Sequence, residues 1–180
     1  MTLISKSNKL FWITVGIISW LLILSNSVTA DRLDFELKSE AAVLMEFNSG
    51  QILYQKNAET KLSPASITKI MTMLLVMEAL EEERVTLTDK IMVSEHAASM
   101  GGSQIWLEPG EKMELKELLK AVAIVSANDA CVAIAEYLSG TEEEFIEEMN
   151  LKAKELGMAN TKFYNTNGLP ITGENKQGNY

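Results

Sequence analysis

The segment that most restricts the fold is residues 63–83, SPASITKIMTMLLVMEALEEE, whose apolar side chains cover nearly every side of a helix. Ser63 suits the N-cap, and Pro64 suits the first helical position, where a missing N–H costs little. A helix that is apolar nearly all round is buried at the centre of a domain, so we expect other elements to enclose this one. Its apolar positions are Ile67, Ile70, Met71, Met73, Leu74, Leu75, Met77 and Leu80.

The rest of the pattern predicts a pair of strands followed by a group of helices in a single domain. Residues 41–47 and 51–56 are predicted to form a hairpin around the turn Asn48-Ser49-Gly50. Helices are predicted over 113–125, over 130–138 with Gly140 as the stop, and over 141–156, whose acidic residues should face solvent. Short strands are predicted within 85–97, and turns within 101–111 and 157–170. This order is typical of an α+β domain.

The first thirty residues differ from the rest and predict a secretory signal peptide. Lys6 and Lys9 precede the apolar run of residues 10–24, and small residues at Val28 and Ala30 form a cleavage site. We therefore expect residues 1–30 to be removed and residues 31–180 to form the exported protein. The alternative is a retained membrane anchor, but a span normally needs about 20 apolar residues.

Composition excludes several classes of function. The net charge of −9 and the absence of a Lys/Arg cluster argue against nucleic-acid binding. The single cysteine, Cys131, allows no intrachain disulfide and should be a buried core residue with an unreactive thiol. With one cysteine and one histidine, His96, the chain lacks the usual zinc ligands, so we expect no metal and give His96 a structural or exposed position.

Ser66 and Lys69 are the first candidates for chemistry. Their spacing puts both side chains on one face of the helix, close enough to meet. Lys69 lies among Ile67, Ile70 and Met73, and burial disfavours an ammonium, so its pKa should fall toward that of a useful base. The spacing by itself is weak, because about one such match is expected by chance in a chain of this composition. On this evidence alone the two could be ordinary helix residues.

The sequence SAN, residues 126–128, is the second candidate. A functional interpretation requires Ser126 to relay a proton and Asn128 to hold a substrate amide. The alternative is a joint between two helices in which Asn128 caps the second, a common role for asparagine. The residues alone leave both interpretations open.

The two motifs and their surroundings resemble the D-alanyl-D-alanine carboxypeptidases. These are low-molecular-mass penicillin-binding proteins of the serine-peptidase group shared with class A β-lactamases. The resemblance covers three blocks in the same order, residues 41–72, 101–136 and 156–170, which contain SPASITK, SANDACVAIAE and NTNGLP. It implies a β-lactamase/transpeptidase-like α+β domain, in which an antiparallel sheet packs with helices.

The resemblance also implies roles for individual residues. Ser66 would be the acylated nucleophile, Lys69 would take its proton, Ser126 would serve the proton transfer to the leaving group, and Asn128 would contact the substrate backbone. The implied substrate is the peptidoglycan stem peptide ending in D-Ala-D-Ala, with β-lactams as inhibitors that acylate the same serine and with no cofactor. Ala127 replaces the aspartate of the S-D-N motif, which favours a carboxypeptidase over a β-lactamase, the weaker alternative.

One motif of the family is missing from the sequence. No lysine precedes a Thr-Gly pair, since the only such pair, Thr172-Gly173, follows Ile171. We therefore expect residues 31–180 to be the N-terminal part of the domain, incomplete at its C-terminal end. The expected location is the cell envelope, at the outer face of the cytoplasmic membrane or in the periplasm, with peripheral membrane association through a further C-terminal segment. A catalytically inactive exported fragment or binding module is the alternative.

Overall fold

The computed structural model describes residues 37–170 and 178–180, so the signal peptide predicted over 1–30 lies outside the described residues. The chain divides into two compact units, Met1–Ala58 and Glu59–Tyr180. Among the residues described, no helix has the length and apolar character needed to cross a bilayer.

The first unit contains the predicted hairpin. Strand β1 (Ala42–Met45) pairs antiparallel with strand β2 (Ile52–Lys56). The turn between them is stabilised by the Glu46 carboxylate, which accepts hydrogen bonds of 2.6 Å from both the backbone N–H and the hydroxyl of Ser49. The hairpin prediction is therefore confirmed.

The second unit is mainly helical, with one small antiparallel sheet made by its described strands. In chain order its elements are a 3₁₀ turn (Ala65–Thr68), α1 (Lys69–Glu81), β3 (Lys90–Met92), α2 (Glu95–Ala98), β4 (Lys112–Glu114), α3 (Leu115–Val125), α4 (Asn128–Ser139) and α5 (Glu142–Glu155). Strands β3 and β4 pair with Lys90 opposite Glu114. The predicted turn segments 101–111 and 157–170 contain neither helix nor strand.

Helix α4 forms the centre of the second unit. Its residues 130–135 are at most 1% exposed, and it packs against α1, α2, α3, α5 and β3. Small side chains such as those of Ala130 and Ala133 let the neighbouring elements approach closely. Cys131 lies fully buried within this core, as predicted.

Helix α1 is less enclosed than the sequence predicted. Met71, Leu75 and Val76 are buried against the core, whereas Ile70 is 62% exposed and Met77 57% exposed. The expectation of burial nearly all round was wrong, because α4 and α5 pack against α1 and its opposite side carries the exposed apolar residues. Hydrophobic composition did not reveal which side would be covered.

The start of this helix also differs from the prediction. The N-cap of the 3₁₀ turn is Pro64, without a side-chain cap, so Ser63 is not the cap. The reason is local, because Ala65 adopts a left-handed backbone (φ 47°) and the chain tightens into the 3₁₀ turn before α1 begins at Lys69.

Helix α5 follows its predicted pattern with one exception. Thr141 caps it by accepting from the Glu144 N–H at 3.1 Å, and Phe145 and Met149 face the core. The acidic residues were expected to be solvated, but Glu142 is only 9% exposed. Its carboxylate bonds to other elements, among them α2 through His96. His96 is exposed and its ring makes this contact with Glu142, which agrees with the predicted structural or exposed position.

Candidate active site

Ser66 and Lys69 meet at the start of α1. The 3₁₀ turn carries Ser66, and Lys69 opens the helix one short turn later. The Lys69 Nζ donates to the Ser66 Oγ at 3.2 Å. Lys69 is only 3% exposed, although its side chain ends in an amine. The contact expected from the three-residue spacing is therefore present.

Two further acceptors hold the Lys69 amine in place. Its Nζ donates to the Asn128 Oδ1 at 2.7 Å and to the Asn167 backbone carbonyl at 2.8 Å. These residues lie 59 and 98 positions further along the chain, so three separate segments meet at one nitrogen. The amine has a fixed orientation as a result.

Burial sets the direction in which the Lys69 pKa moves. It lowers the pKa of the amine from its ordinary value, with Cys131 opposing the shift. In the described part of the chain, no carboxylate lies within salt-bridge distance of Lys69 to offset this effect. A lysine that is short of counter-charge gives up its proton more readily than an exposed lysine does.

Asn128 connects the Lys69 amine to the loop of residues 101–107. Its side-chain N–H donates to the Gly101 carbonyl at 2.7 Å, and its backbone N–H donates to the Ser103 carbonyl at 2.7 Å. The N-cap of α4 is Ala127, which forms no side-chain cap. The capping alternative for Asn128 is therefore wrong, because both ends of its amide are already engaged between Lys69 and the loop.

Ser126 occupies the joint between α3 and α4. It adopts a left-handed backbone (φ 60°) as the C-cap of α3. Its hydroxyl oxygen is buried and forms no hydrogen bond with the residues that the structure describes. Ser126 is thus not hydrogen-bonded to Ser66 or Lys69, and its hydroxyl is left unsatisfied two residues before Asn128.

The segment 165–168 completes the site, and sequence reasoning did not identify it. The Thr72 hydroxyl donates to the Thr166 carbonyl at 2.6 Å, next to the Asn167 carbonyl that accepts from Lys69. Gly168 has φ 85°, and any side chain on it would collide with the Ala65 carbonyl. The NTNG sequence is a turn signal, and its glycine allows this close approach.

Asp129, the residue after Asn128, binds the same loop at two further residues. The Asp129 carboxylate, fully buried, accepts from the backbone N–H groups of Ile105 and Leu107 at 3.1 Å each. Asn128 and Asp129 together therefore bind the loop at alternate residues from 101 to 107. Sequence reasoning missed Asp129, although an acid at a helix start beside a polar site residue was a usable signal.

Comparison with known proteins identifies the family. The sequence profile of the D-alanyl-D-alanine carboxypeptidases matches residues 25–177. The chain belongs to this family. Its relatives include the D-alanyl-D-alanine carboxypeptidase DacF of Bacillus subtilis, which is 59% identical over 136 residues, 76% of this chain and 35% of that protein. The chain spans about a third of the length of the curated relatives it matches.

Solved structures support the same family. The D-alanyl-D-alanine carboxypeptidase DacD from Francisella tularensis matches with a TM-score of 0.74 and 40% identity, covering 77% of this chain and 34% of that one. A peptidoglycan synthesis regulatory factor, PBP3, from Streptococcus pneumoniae matches with a TM-score of 0.75 and 32% identity, covering 81% and 44% of the two chains. The fold predicted from the resemblance, the α+β fold of penicillin-binding proteins, is confirmed.

Proposed function

We propose that this protein is a serine-type D-alanyl-D-alanine carboxypeptidase, which removes the terminal D-Ala from peptidoglycan stem peptides. The observation that carries the proposal is the contact of 3.2 Å between Lys69 Nζ and Ser66 Oγ, made by a lysine that is 3% exposed. Membership of the carboxypeptidase family supplies the substrate class.

The bonds around Lys69 suit a base that gains and loses one proton. An ammonium has three donors, and the three observed acceptors match them. When the amine is neutral, two N–H groups can stay on Asn128 and Asn167 while the lone pair faces the Ser66 hydroxyl. The two fixed acceptors therefore keep the lone pair aimed at the nucleophile, which is the geometry that general-base activation needs.

The acylation step follows from this arrangement. The Ser66 Oγ attacks the carbonyl carbon of the penultimate D-Ala as its proton passes to the neutral Lys69 Nζ. The C–N bond to the terminal D-Ala then breaks, and the leaving amine takes a proton. We assign Ser126 as the relay for that proton: its hydroxyl gives a proton to the leaving amine and takes one from the Lys69 ammonium, which returns Lys69 to the neutral base. The buried Ser126 hydroxyl is otherwise unsatisfied among the described residues, which leaves it free for this role. Water afterwards hydrolyses the ester on Ser66 and releases the shortened peptide.

Asn128 is proposed to contact the backbone of the substrate. Its amide already orients Lys69 and holds the Gly101 carbonyl, so a peptide lying against Ser66 would meet a rigid side chain. A β-lactam would react at the same serine: Ser66 attacks its ring carbonyl, and the opened ring stays attached.

We also propose that the protein is exported to the cell envelope after removal of residues 1–30, with peripheral membrane association. The basic start and the apolar run of residues 10–24 support export. The net charge of −9 opposes binding to nucleic acid.

Intact mass spectrometry with and without a penicillin tests the function. The chain of residues 1–180 is expressed in a host that exports it, beside Ser66→Ala and the matched control Ser63→Ala. Ring opening has no leaving group, so we expect a gain of one whole penicillin mass in the wild type and in Ser63→Ala. Ser66→Ala should gain none.

Three other outcomes have distinct meanings. If the wild type forms no adduct, the proposed activity is wrong for this chain. That result favours the alternative of an exported protein without catalytic activity. An adduct that persists in Ser66→Ala refutes the assigned nucleophile. Repeated turnover of penicillin, in place of a long-lived adduct, would point to a β-lactamase.

A further inference from the structure

Glu142 is a buried carboxylate that joins three elements of the second unit. It lies in the first turn of α5 and is 9% exposed. Its Oε1 accepts from the Thr166 N–H at 3.1 Å and from the Thr166 hydroxyl at 2.8 Å. Its Oε2 lies 2.8 Å from the His96 Nε2 of α2. Both carboxylate oxygens are therefore engaged inside the protein.

Thr166 immediately precedes Asn167, the residue whose carbonyl binds the Lys69 amine. The Asn167 carbonyl accepts from Lys69 Nζ at 2.8 Å, and the Thr166 carbonyl accepts from Thr72 at 2.6 Å. Lys69 and Thr72 lie one helical turn apart on α1. Thr166 is thus bonded to α1 through its carbonyl and to Glu142 through its N–H and its hydroxyl.

A favourable charge at the start of α5 does not explain why Glu142 is buried. Glu143 and Glu144 lie in the same turn, are exposed, and interact with the helix dipole without losing their hydration. Burying a carboxylate costs free energy unless hydrogen bonds compensate. At Glu142 that compensation comes mainly from Thr166, which is itself fully buried.

We propose that Glu142 is a positioning residue for the Lys69 base: it holds Thr166 so that the Asn167 carbonyl stays on Lys69 Nζ. The inference rests on the proposed function only for the role of Lys69 as base. The groups that face Lys69 are the Ser66 hydroxyl, the Asn128 amide oxygen and the Asn167 carbonyl, with the Cys131 thiol nearby.

Loss of Glu142 should make Lys69 easier to deprotonate and should leave its amine less firmly oriented toward Ser66. The Asn167 carbonyl stabilises the ammonium, so releasing it removes a bond that favours the charged form. A hydrogen bond to a charged group is worth about 1.5–3 kcal/mol, which corresponds to a fall of about one pH unit or more in the Lys69 titration midpoint.

The midpoint can be measured without any substrate. Chains labelled with ¹³C at the lysine Cε are titrated by NMR, and the Lys69 signal is assigned by its disappearance in Lys69→Arg. Glu142→Ala removes the carboxylate and should lower the midpoint. Glu142→Gln keeps an oxygen for both Thr166 donors and should stay near the wild type. The exposed neighbour Glu143→Ala is the matched control and should leave the midpoint unchanged.

The outcomes separate positioning from charge. Equal falls in Glu142→Ala and Glu142→Gln would mean that the lost charge acts directly, which overturns the proposal, and so would an unchanged midpoint in both. If Glu142→Ala does not fold, Thr166→Val removes only the 2.8 Å bond to Glu142, and an unchanged midpoint there overturns the proposal. Since no acylation is involved, failure of this test is distinct from failure to bind penicillin.

Discussion

The Lys69 amine donates a hydrogen bond of 2.7 Å to the side-chain oxygen of Asn128, which lies 59 residues further along the chain. This bond joins the start of α1 to the start of α4. It brings the two sequence motifs, SPASITK and SAN, to a single nitrogen. The site is therefore assembled around Lys69, with Ser66 as one of its three partners.

Replacing this neutral oxygen by a charged one should change the pH dependence of acylation. In Asn128→Asp a carboxylate would lie within hydrogen-bond distance of Lys69 Nζ. A neighbouring opposite charge stabilises the ammonium and raises its pKa, by about one to three pH units in such pairs. The rising limb of the acylation rate should move to higher pH, and the rate at neutral pH should fall about tenfold or more.

Labelling by a fluorescent penicillin, followed across neutral and alkaline pH, checks this prediction. The exposed Asn160→Asp serves as the control and should keep the wild-type profile. A uniform loss of rate in Asn128→Asp, without movement of the limb, would mean that Asn128 acts on the substrate and not on the proton affinity of Lys69.

Gly168 should tolerate no side chain. Its left-handed φ of 85° is unfavourable for alanine, and an added Cβ would collide with the Ala65 carbonyl. The backbone strain costs about 1–2 kcal/mol, and the collision should raise the loss in Gly168→Ala to about 3 kcal/mol or more. The change would also push the 165–168 segment away from Lys69.

Urea unfolding of Gly168→Ala and Gly157→Ala measures the two contributions separately. Gly157 has a similar φ of 74° but open space around the position of a Cβ. Gly157→Ala should therefore lose only the backbone part, about 1–2 kcal/mol. Equal losses in the two variants would show that the close approach to Ala65 has no energetic weight.

Asp129 should stabilise the loop of residues 101–107. Its carboxylate accepts from the N–H groups of Ile105, Leu107 and Ala130 in a fully buried position. In Asp129→Asn the amide group would face some of these donors, so we expect a loss of about 3 kcal/mol in the free energy of unfolding. Amide hydrogen exchange at Ile105 and Leu107 should accelerate as well.

The surface carboxylate Asp89 offers a matched control. It also accepts from a backbone N–H, that of Thr86, but water can reach it and can replace the lost bonds. Asp89→Asn should destabilise the protein less than Asp129→Asn and should leave exchange in the loop unchanged. A larger loss at Asp89 would contradict the role assigned to burial.

Local patterns predicted the elements well, because each element depends on neighbours in sequence. The hairpin turn at residues 48–50 and the helix stop at Gly140 are signals of this kind, and both agree with the structure. The meeting of Ser66 and Lys69 is also local, since it needs only a helical turn. These features follow from spacing and backbone preference.

The remainder of the site depends on packing between distant segments. Nothing in the spacing of NTNG indicates that the Asn167 carbonyl, 98 residues from Lys69, will accept a hydrogen bond from the Lys69 amine. Glu142 looked like one of several surface acids, and its contacts with Thr166 and His96 distinguish it. The prediction of a cap at Ser63 failed because Ala65 has a left-handed backbone, which the residue preferences used for the prediction do not contain. Ala65 lies directly against Gly168, a contact between distant segments.

Cys131 should resist thiol reagents in the folded protein. Burial raises the pKa of its thiol to about 12, with Glu142 and Asp129 adding to the rise and Lys69 opposing it. Only the thiolate reacts, so at mildly alkaline pH almost no reactive species is present, and no reagent reaches a fully buried sulfur. We expect no reaction with a disulfide reagent such as dithionitrobenzoate until urea unfolds the chain, when one thiol per molecule should react. Fast labelling of the native protein would mean that α4 opens locally, and the same experiment on Asp129→Asn would then test whether the loop controls that opening.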